Sequence, residues 1–260
     1  MPAADSMICA TLARIRHPCH CGWFHLLGRR LLLTVVCLLL SLSPAIGGAA
    51  DLEELEEIID EARLTFARFT GHPKMAWFRE RARSASAIFI APDVTRIGYF
   101  FGAAWGTGVL LVRDASTGRW SEPAFYRLAG GSFGLQIGVL DSEIIALATD
   151  EQAAAEMHNG TFALGIGATL GAGQFGGGIK GSLETTTGAG VVTVSAPTGL
   201  FAGIAVGGAF VLVRDGANEL YYGRPVELDD LRQGRTRQWY SERLVNAVTE
   251  VVSSARELSP

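Results

Sequence analysis

The chain has 260 residues, with 22 Lys and Arg against 26 Asp and Glu, and so a formal net charge of −4 at neutral pH. Residues 51–260 alone carry 18 basic and 25 acidic side chains, a balance that argues against a general nucleic-acid-binding protein. A stretch of about 210 residues is long enough to build one hydrophobic core.

Residues 1–50 are predicted to form a secretory signal peptide. Arg29 and Arg30 precede an apolar run over residues 31–42, and small residues follow over 44–50. This is the order of the charged, hydrophobic and cleavage regions of such signals. The alternative is an uncleaved N-terminal anchor. In either case we expect an exported protein, periplasmic or associated with the cell envelope.

Cysteine and histidine are too scarce after residue 50 for metal chemistry. All four cysteines lie at positions 9, 19, 21 and 37, and only His72 and His158 remain in residues 51–260. A thiolate or histidine metal site needs more ligands than this, and disulfides cannot stabilise the exported part. The sequence therefore predicts a core-stabilised domain with no metal and no cofactor.

Residues 51–84 are predicted to form N-terminal helices. Apolar residues recur at three- and four-residue steps from Leu52 to Phe69, which is the spacing of one helix face. Acidic residues crowd the first turns, where the helix dipole favours them. Pro73 can open a second, shorter helix that ends near Arg83.

Residues 85–234 are predicted to form a β-rich core. They contain 27 of the 32 glycines, and short apolar runs alternate with glycine breaks, which favours an antiparallel sheet closing towards a barrel. A short helix over Asp150–His158 is expected inside it, with Asp150 as N-cap. Residues 235–260 are predicted to be helical, with Trp239, Leu244, Val248 and Val251 on one face. The fold class is α+β, with amphipathic helices at both ends of a glycine-rich sheet.

Glycines line one face of the predicted strand over residues 162–170. A glycine face lets another backbone or a ligand chain approach closely. Tight packing within the fold is the favoured interpretation, and a ligand groove is the alternative.

One motif suggests catalysis. Gly130-Gly131-Ser132-Phe133-Gly134 fits G-x-S-x-G, the nucleophile elbow of α/β hydrolases. That elbow needs a strand before the serine and a helix after it, whereas residues 135–140 alternate like a strand. The acid and the histidine would have to be Asp141 or Asp150 and His158. A hydrolase at Ser132 is therefore the third and least favoured function, and we predict that the protein is not an enzyme.

Four blocks of sequence, in order, carry a resemblance to a known family. They lie at residues 85–110, at 120–138 with WSEPAF and GSFGLQIG, at 164–176, and at 199–223 with GLFAG and YYG. In this combination the chain resembles the SYLF domain family over residues 52–234. The chain departs from the family pattern at Thr198, where a basic residue is usual, and at Gln174.

The resemblance implies a non-enzymatic lipid-binding domain, with anionic phospholipid or a membrane surface as partner. Actin binding occurs in some members, but we do not expect it of an exported chain. Arginine side chains bind phosphate oxygens well. The expected headgroup-binding residues are Arg79, Arg81, Arg83, Arg96 and Lys180. The expected apolar contacts to lipid are Phe100, Phe101 and Trp105. The alternative function is a structural protein of the envelope that binds a protein partner through its glycine-rich faces.

Overall fold

The computed structural model describes residues 51–175, 183–187 and 190–253. The predicted signal peptide and Lys180 lie outside these residues. The described helices and strands belong to one compact unit, which spans Ala49–Pro260.

Six helices and six strands form within the described residues, so the α+β fold class is confirmed. The helices are α1 (Leu52–Gly71), α2 (Ala76–Arg83), α3 (Glu151–His158), α4 (Asp215–Tyr222), α5 (Leu228–Arg232) and α6 (Glu242–Ser253), with a 3-10 turn at Pro73–Met75. The strands are β1 (Ala87–Gly98), β2 (Phe101–Val112), β3 (Ala124–Ala148), β4 (Thr161–Phe175), β5 (Leu183–Thr187) and β6 (Val191–Val213).

The helix ends follow the sequence signals. The Asp51 carboxylate accepts a hydrogen bond from the Glu54 amide at 2.7 Å, and Asp150 accepts one from the Ala153 amide at 2.8 Å, so both cap a helix N-terminus. The expectation for Trp239 is wrong, because this side chain lies before α6 and is 74% exposed. Leu244 and Val248 are buried, as predicted.

Many glycines that the sequence suggested as breaks between short strands, such as Gly130, Gly131 and Gly138, do not separate strands. They lie inside long ones, and β3 and β6 run for 25 and 23 residues. The first half of β3 pairs with β2, with Phe101 opposite Phe133, and its second half pairs with β1, with Gly98 opposite Gly138. Strand β3 therefore bends around the tip of the β1–β2 hairpin. Strand β6 pairs with β3 from end to end, and β4 and β5 flank β6.

The sheet is antiparallel at every pairing between the described strands and curls into a half-barrel. Strand order is β1-β2-β3-β6-β4, and β1 also pairs directly with β3, so three or four strand spacings, roughly 14–19 Å in a flat sheet, separate β1 from β4. The rings of Phe89 on β1 and Phe162 on β4 are nevertheless 5.6 Å apart, and both contact Tyr126 on β3. These three side chains form the core of the inner face.

Gly130 and Gly131 offer a matched test of the strand packing. A Cβ at Gly130 would lie 2.6 Å from the Gly208 carbonyl oxygen, whereas the nearest atom to one at Gly131 is 3.7 Å away. We expect Gly130→Ala to lower the free energy of unfolding by about 1–3 kcal/mol, because the neighbouring strand must shift. Gly131→Ala should stay within about 0.5 kcal/mol of the parent in urea denaturation. Equal losses for the two variants would contradict this packing.

Candidate functional site

A surface of exposed apolar side chains lies on the outer face of the sheet, around the tip of the β1–β2 hairpin. We call it the apolar face. Its members are Ile97, Tyr99, Phe100, Phe101, Trp105, Phe133, Ile137, Val139 and Phe210, all of which are exposed.

Strand register brings these residues together from four strands. Paired residues of an antiparallel sheet point to the same side. Trp105 pairs with Ala129, which pairs with Phe210 on its other edge, and this forms one row. Phe101 pairs with Phe133 two rows further along, and their rings are 5.3 Å apart.

Between these aromatic rows lies a row of small residues. Ala103 pairs with Gly131, and Gly131 pairs with Gly208. Ile97, at the end of this row, pairs with Ala103 and with Val139. The apolar face is therefore two aromatic ridges with a shallow floor between them.

Helix α1 covers another part of the outer face of the sheet. The apolar face begins where this cover ends. Thr65 of α1 donates a hydrogen bond to Glu143 at 2.8 Å, and Arg68 forms an ion pair with the same carboxylate. Glu143 is four residues from Val139 on the same strand, so its side chain points to the same, outer face of the sheet. Beyond it the outer residues become exposed: Phe101 is 75%, Phe133 65% and Phe210 62% exposed. Exposed apolar surface of this extent marks an interaction site on a folded domain.

The predicted apolar contacts and the predicted cations occupy different places. Phe100, Phe101 and Trp105 all belong to the apolar face. Arg79 donates hydrogen bonds to the carbonyl oxygens of Thr70 and His72 at 2.7 and 3.1 Å, which closes the end of α1. The other two arginines of α2 are Arg81, which is exposed, and Arg83, which forms an ion pair with Glu80 at 2.7 Å.

Arg96 lies on the opposite side of the sheet from the apolar face. It pairs in register with Ala104 and Leu140, both buried, so its side chain is on the inner face of the half-barrel. Burial lowers the pKa of its guanidinium. The structure thus groups the predicted aromatic residues but brings none of the described predicted cations into the apolar face.

Sequence reasoning missed the other six members of the apolar face, which are Ile97, Tyr99, Phe133, Ile137, Val139 and Phe210. The signal was present in the alternation of residues 129–139, which places Phe133, Ile137 and Val139 on one side of a strand. The alternation of residues 135–140 predicts a strand, but the glycines at 130, 131 and 134 suggest a turn before it, so the sequence alone does not place Phe133 on the same strand face. The pairing that sets Phe133 beside Phe101 joins positions 32 residues apart.

The second and fourth sequence blocks that resemble the family, at residues 120–138 and 199–223, contain residues with a packing role. Tyr222 donates a hydrogen bond to the Pro123 carbonyl oxygen at 2.7 Å, and Asn218 accepts one from the Phe125 amide at 2.8 Å. Ser241 donates to the buried Glu122, whose pKa is raised by burial. Residues 120–125 and 221–223 therefore hold α4 and the start of α6 against β3.

A cleft of about 330 Å³ lies on another part of the surface, between α3, α5 and the end of β2. His158 Nε2 lies 3.0 Å from Asp229 Oδ1, and Arg232 binds the same oxygen at 3.1 Å. These hydrogen bonds, with that of His158 first, lower the pKa of Asp229. Because the carboxylate is held from both sides, the arrangement links α3 to α5.

Ser132 lies in the interior of β3, paired with Gly102 on one side and Gly207 on the other. The strand-to-helix turn of a nucleophile elbow is not formed around it. In the part of the chain that the structure describes, no three His, Cys, Asp or Glu side chains group closely enough to hold a metal ion. None of the described helices has the length and apolar character needed to cross a bilayer.

Comparison with known proteins gives a consistent family. The family model Ysc84, described as "Las17-binding protein actin regulator", matches residues 129–253. The chain is 32% identical over 141 residues to the SH3 domain-containing YSC84-like protein 1 of Xenopus laevis, covering 54% of this chain and 41% of that protein. It is 30% identical over 161 residues to Protein YSC84 of Saccharomyces cerevisiae, covering 61% of this chain and 33% of the yeast protein.

The matched region of this chain thus spans well under half the length of these relatives. No solved structure gives a significant match to it. The resemblance to the SYLF family is confirmed, since Ysc84 and SYLF denote the same domain. The family and its members are named as binding and regulatory proteins, not as enzymes.

Proposed function

Because the chain carries a domain of the Ysc84 (SYLF) family, we propose that it is a non-enzymatic protein that binds anionic lipid or membrane surfaces in the cell envelope. The apolar face is the observation that carries this proposal. Tyr and Trp side chains with Phe neighbours on an exposed sheet end suit the boundary between headgroups and acyl chains. Folded domains rarely leave so many large apolar side chains in water without a partner.

The apolar face suggests attachment by insertion rather than by charge alone. Asp141 lies on the same side of the sheet and accepts a hydrogen bond from Thr95 at 2.9 Å. Basic side chains such as Arg81 lie on other elements and would add long-range attraction to anionic lipid. Such attraction is screened by salt, whereas burial of aromatic side chains is not.

Vesicle co-sedimentation tests the proposal. Residues 49–260 would be mixed with vesicles of phosphatidylcholine, with and without phosphatidylglycerol, at low and high salt. We expect stronger binding to the anionic vesicles, of which a substantial part persists at high salt. Absence of binding to both kinds of vesicle would overturn the proposal.

A protein partner is the second candidate. The family description names Las17, a protein, as what its members bind. The same apolar face would then be covered by a protein of the envelope. Actin binding stays outside our proposal, because we expect this chain to be exported.

A further inference from the structure

Each copy of the chain leaves enough apolar surface in water to form a dimer interface. The six aromatic side chains of the apolar face are between 47% and 75% exposed. Because an aromatic side chain has about 150–250 Å² of surface, these six together expose roughly 700 Å². Ile97, Ile137 and Val139 add to this area. A standard interface between two proteins buries about 800 Å² on each partner, so the apolar face is large enough for a specific contact.

The relief of the apolar face is complementary to itself. Phe101 and Trp105 are four residues apart on β2, so the two aromatic ridges lie about 13 Å apart along the strands. The floor between the ridges is formed by Ala103, Gly131 and Gly208, which carry no side chain larger than a methyl group. When two sheets pack about 10 Å apart, their side chains interdigitate. An aromatic ridge of another copy therefore fits this floor, and a twofold axis makes the contact mutual.

The charge and composition of the apolar face also suit a contact between proteins. All of its members are uncharged, and most are aromatic. Charged side chains of the outer face lie at its margin, where Asp141 is bound by Thr95 and Glu143 is bound by α1. The buried centres of protein interfaces are likewise rich in aromatic residues and poor in charged ones. Two copies can therefore meet here without placing like charges against each other.

We propose that the apolar face binds a second copy of the chain when no membrane is present, with one aromatic ridge of each copy in the floor of the other. The inference rests on the proposed function in that the same surface binds lipid. Two copies that cover each other's apolar face leave none of it for a membrane. The dimer is then the form in water, the single copy is the form on the membrane, and mass action governs the exchange between them.

Two variants separate the contact with a second copy from the contact with lipid. Ala103→Phe fills the floor with a ring, so the ridge of a partner no longer fits, while the apolar area of the face increases. Ala103 is exposed, and the larger side chain extends into solvent. Replacing Phe101 and Phe133 together by threonine removes a ridge and its apolar area. Trp239→Thr is the control, because Trp239 is exposed but lies outside the apolar face.

Sedimentation velocity of residues 49–260, the compact unit of the fold, measures the association. We expect the parent and Trp239→Thr to form a reversible dimer, and the other two variants to associate at least tenfold more weakly, as for the loss of a central aromatic contact. With vesicles that contain phosphatidylglycerol, Ala103→Phe should bind at least as tightly as the parent, whereas the double threonine variant should bind less tightly. Urea denaturation verifies that each variant is folded.

A second measurement of the parent does not depend on the folding of any variant. At a fixed vesicle concentration, in excess over protein, the bound fraction of the parent should fall as its concentration rises, because dimers compete with lipid. The bound fraction of Ala103→Phe should stay constant over the same range.

The proposal is overturned if the parent remains a single copy at the highest concentration, or if folded Ala103→Phe associates as tightly as the parent. It is also overturned if a measurable bound fraction does not change with the concentration of the parent. Failure of the proposed function has a different signature. A dimer that Ala103→Phe dissociates, without vesicle binding by the parent or any variant, would remove lipid and support the second copy as the partner of this face.

Discussion

Replacing Phe101 and Phe133 together by threonine is expected to weaken vesicle binding about a hundredfold. Each exposed ring that enters the membrane contributes about 1.5 kcal/mol or more, and every 1.4 kcal/mol is a factor of ten. Threonine keeps the β-propensity of the replaced residue. The unfolding free energy should therefore change by no more than about 1 kcal/mol, the value of the ring–ring contact.

Co-sedimentation and urea denaturation of the same preparations separate the two effects. Trp239→Thr is the matched control, because this side chain is also exposed but lies outside the apolar face, just before α6. It should bind vesicles like the parent. If the double variant binds as tightly as the control, the apolar face is not where the membrane attaches.

Phe89→Ala is expected to lower the free energy of unfolding by about 3–5 kcal/mol, the usual loss for a buried Phe. Phe89 is fully buried, and the centroid of its ring lies 6.3 Å from that of Tyr126 and 5.6 Å from that of Phe162. The alanine variant loses the side chain that joins the first strand to the far edge of the curled sheet. The free energy of unfolding of a native protein is only about 5–15 kcal/mol in total, so this one substitution removes a large part of it.

Guanidinium denaturation measures the loss, with Phe101→Ala on the neighbouring strand as a control that differs mainly in exposure. A loss below about 1 kcal/mol at Phe89 would show that the aromatic core of the inner face is not formed. The comparison therefore tests the curl of the sheet directly.

Local signals predicted the helices well. Asp51 and Asp150 are short-range caps, and their partners lie three residues away. The β-rich class was also predictable from alternation and glycine content. What the sequence did not show is that glycines such as Gly130 lie within strands, where they permit close contact between backbones rather than a turn.

The candidate site was predicted only in part for a similar reason. Phe100, Phe101 and Trp105 are close in sequence and were recognised together. Phe133 and Phe210 join them only through pairing of β2 with β3 and of β3 with β6. Arg79, Arg81 and Arg83 are also close in sequence, but Arg79 is used to close α1. Arg96, which is expected to bind the same headgroups, lies on the inner face. The positive charge of Arg79 and Arg96 does not by itself predict either position.

The end-to-end pairing of β3 with β6 has a consequence for how the chain reaches its native state. Tyr126 pairs with Val213 at one end of this ladder, and Ala148 pairs with Val191 at the other. The segment of chain between the paired residues is therefore much longer at the first end than at the second. Contacts between distant positions slow folding to the range of milliseconds to seconds. During that interval the long, glycine-rich strands expose unpaired edges, which can pair with other copies of the chain. Folding yield at high concentration, more than native stability, should therefore limit production of this protein.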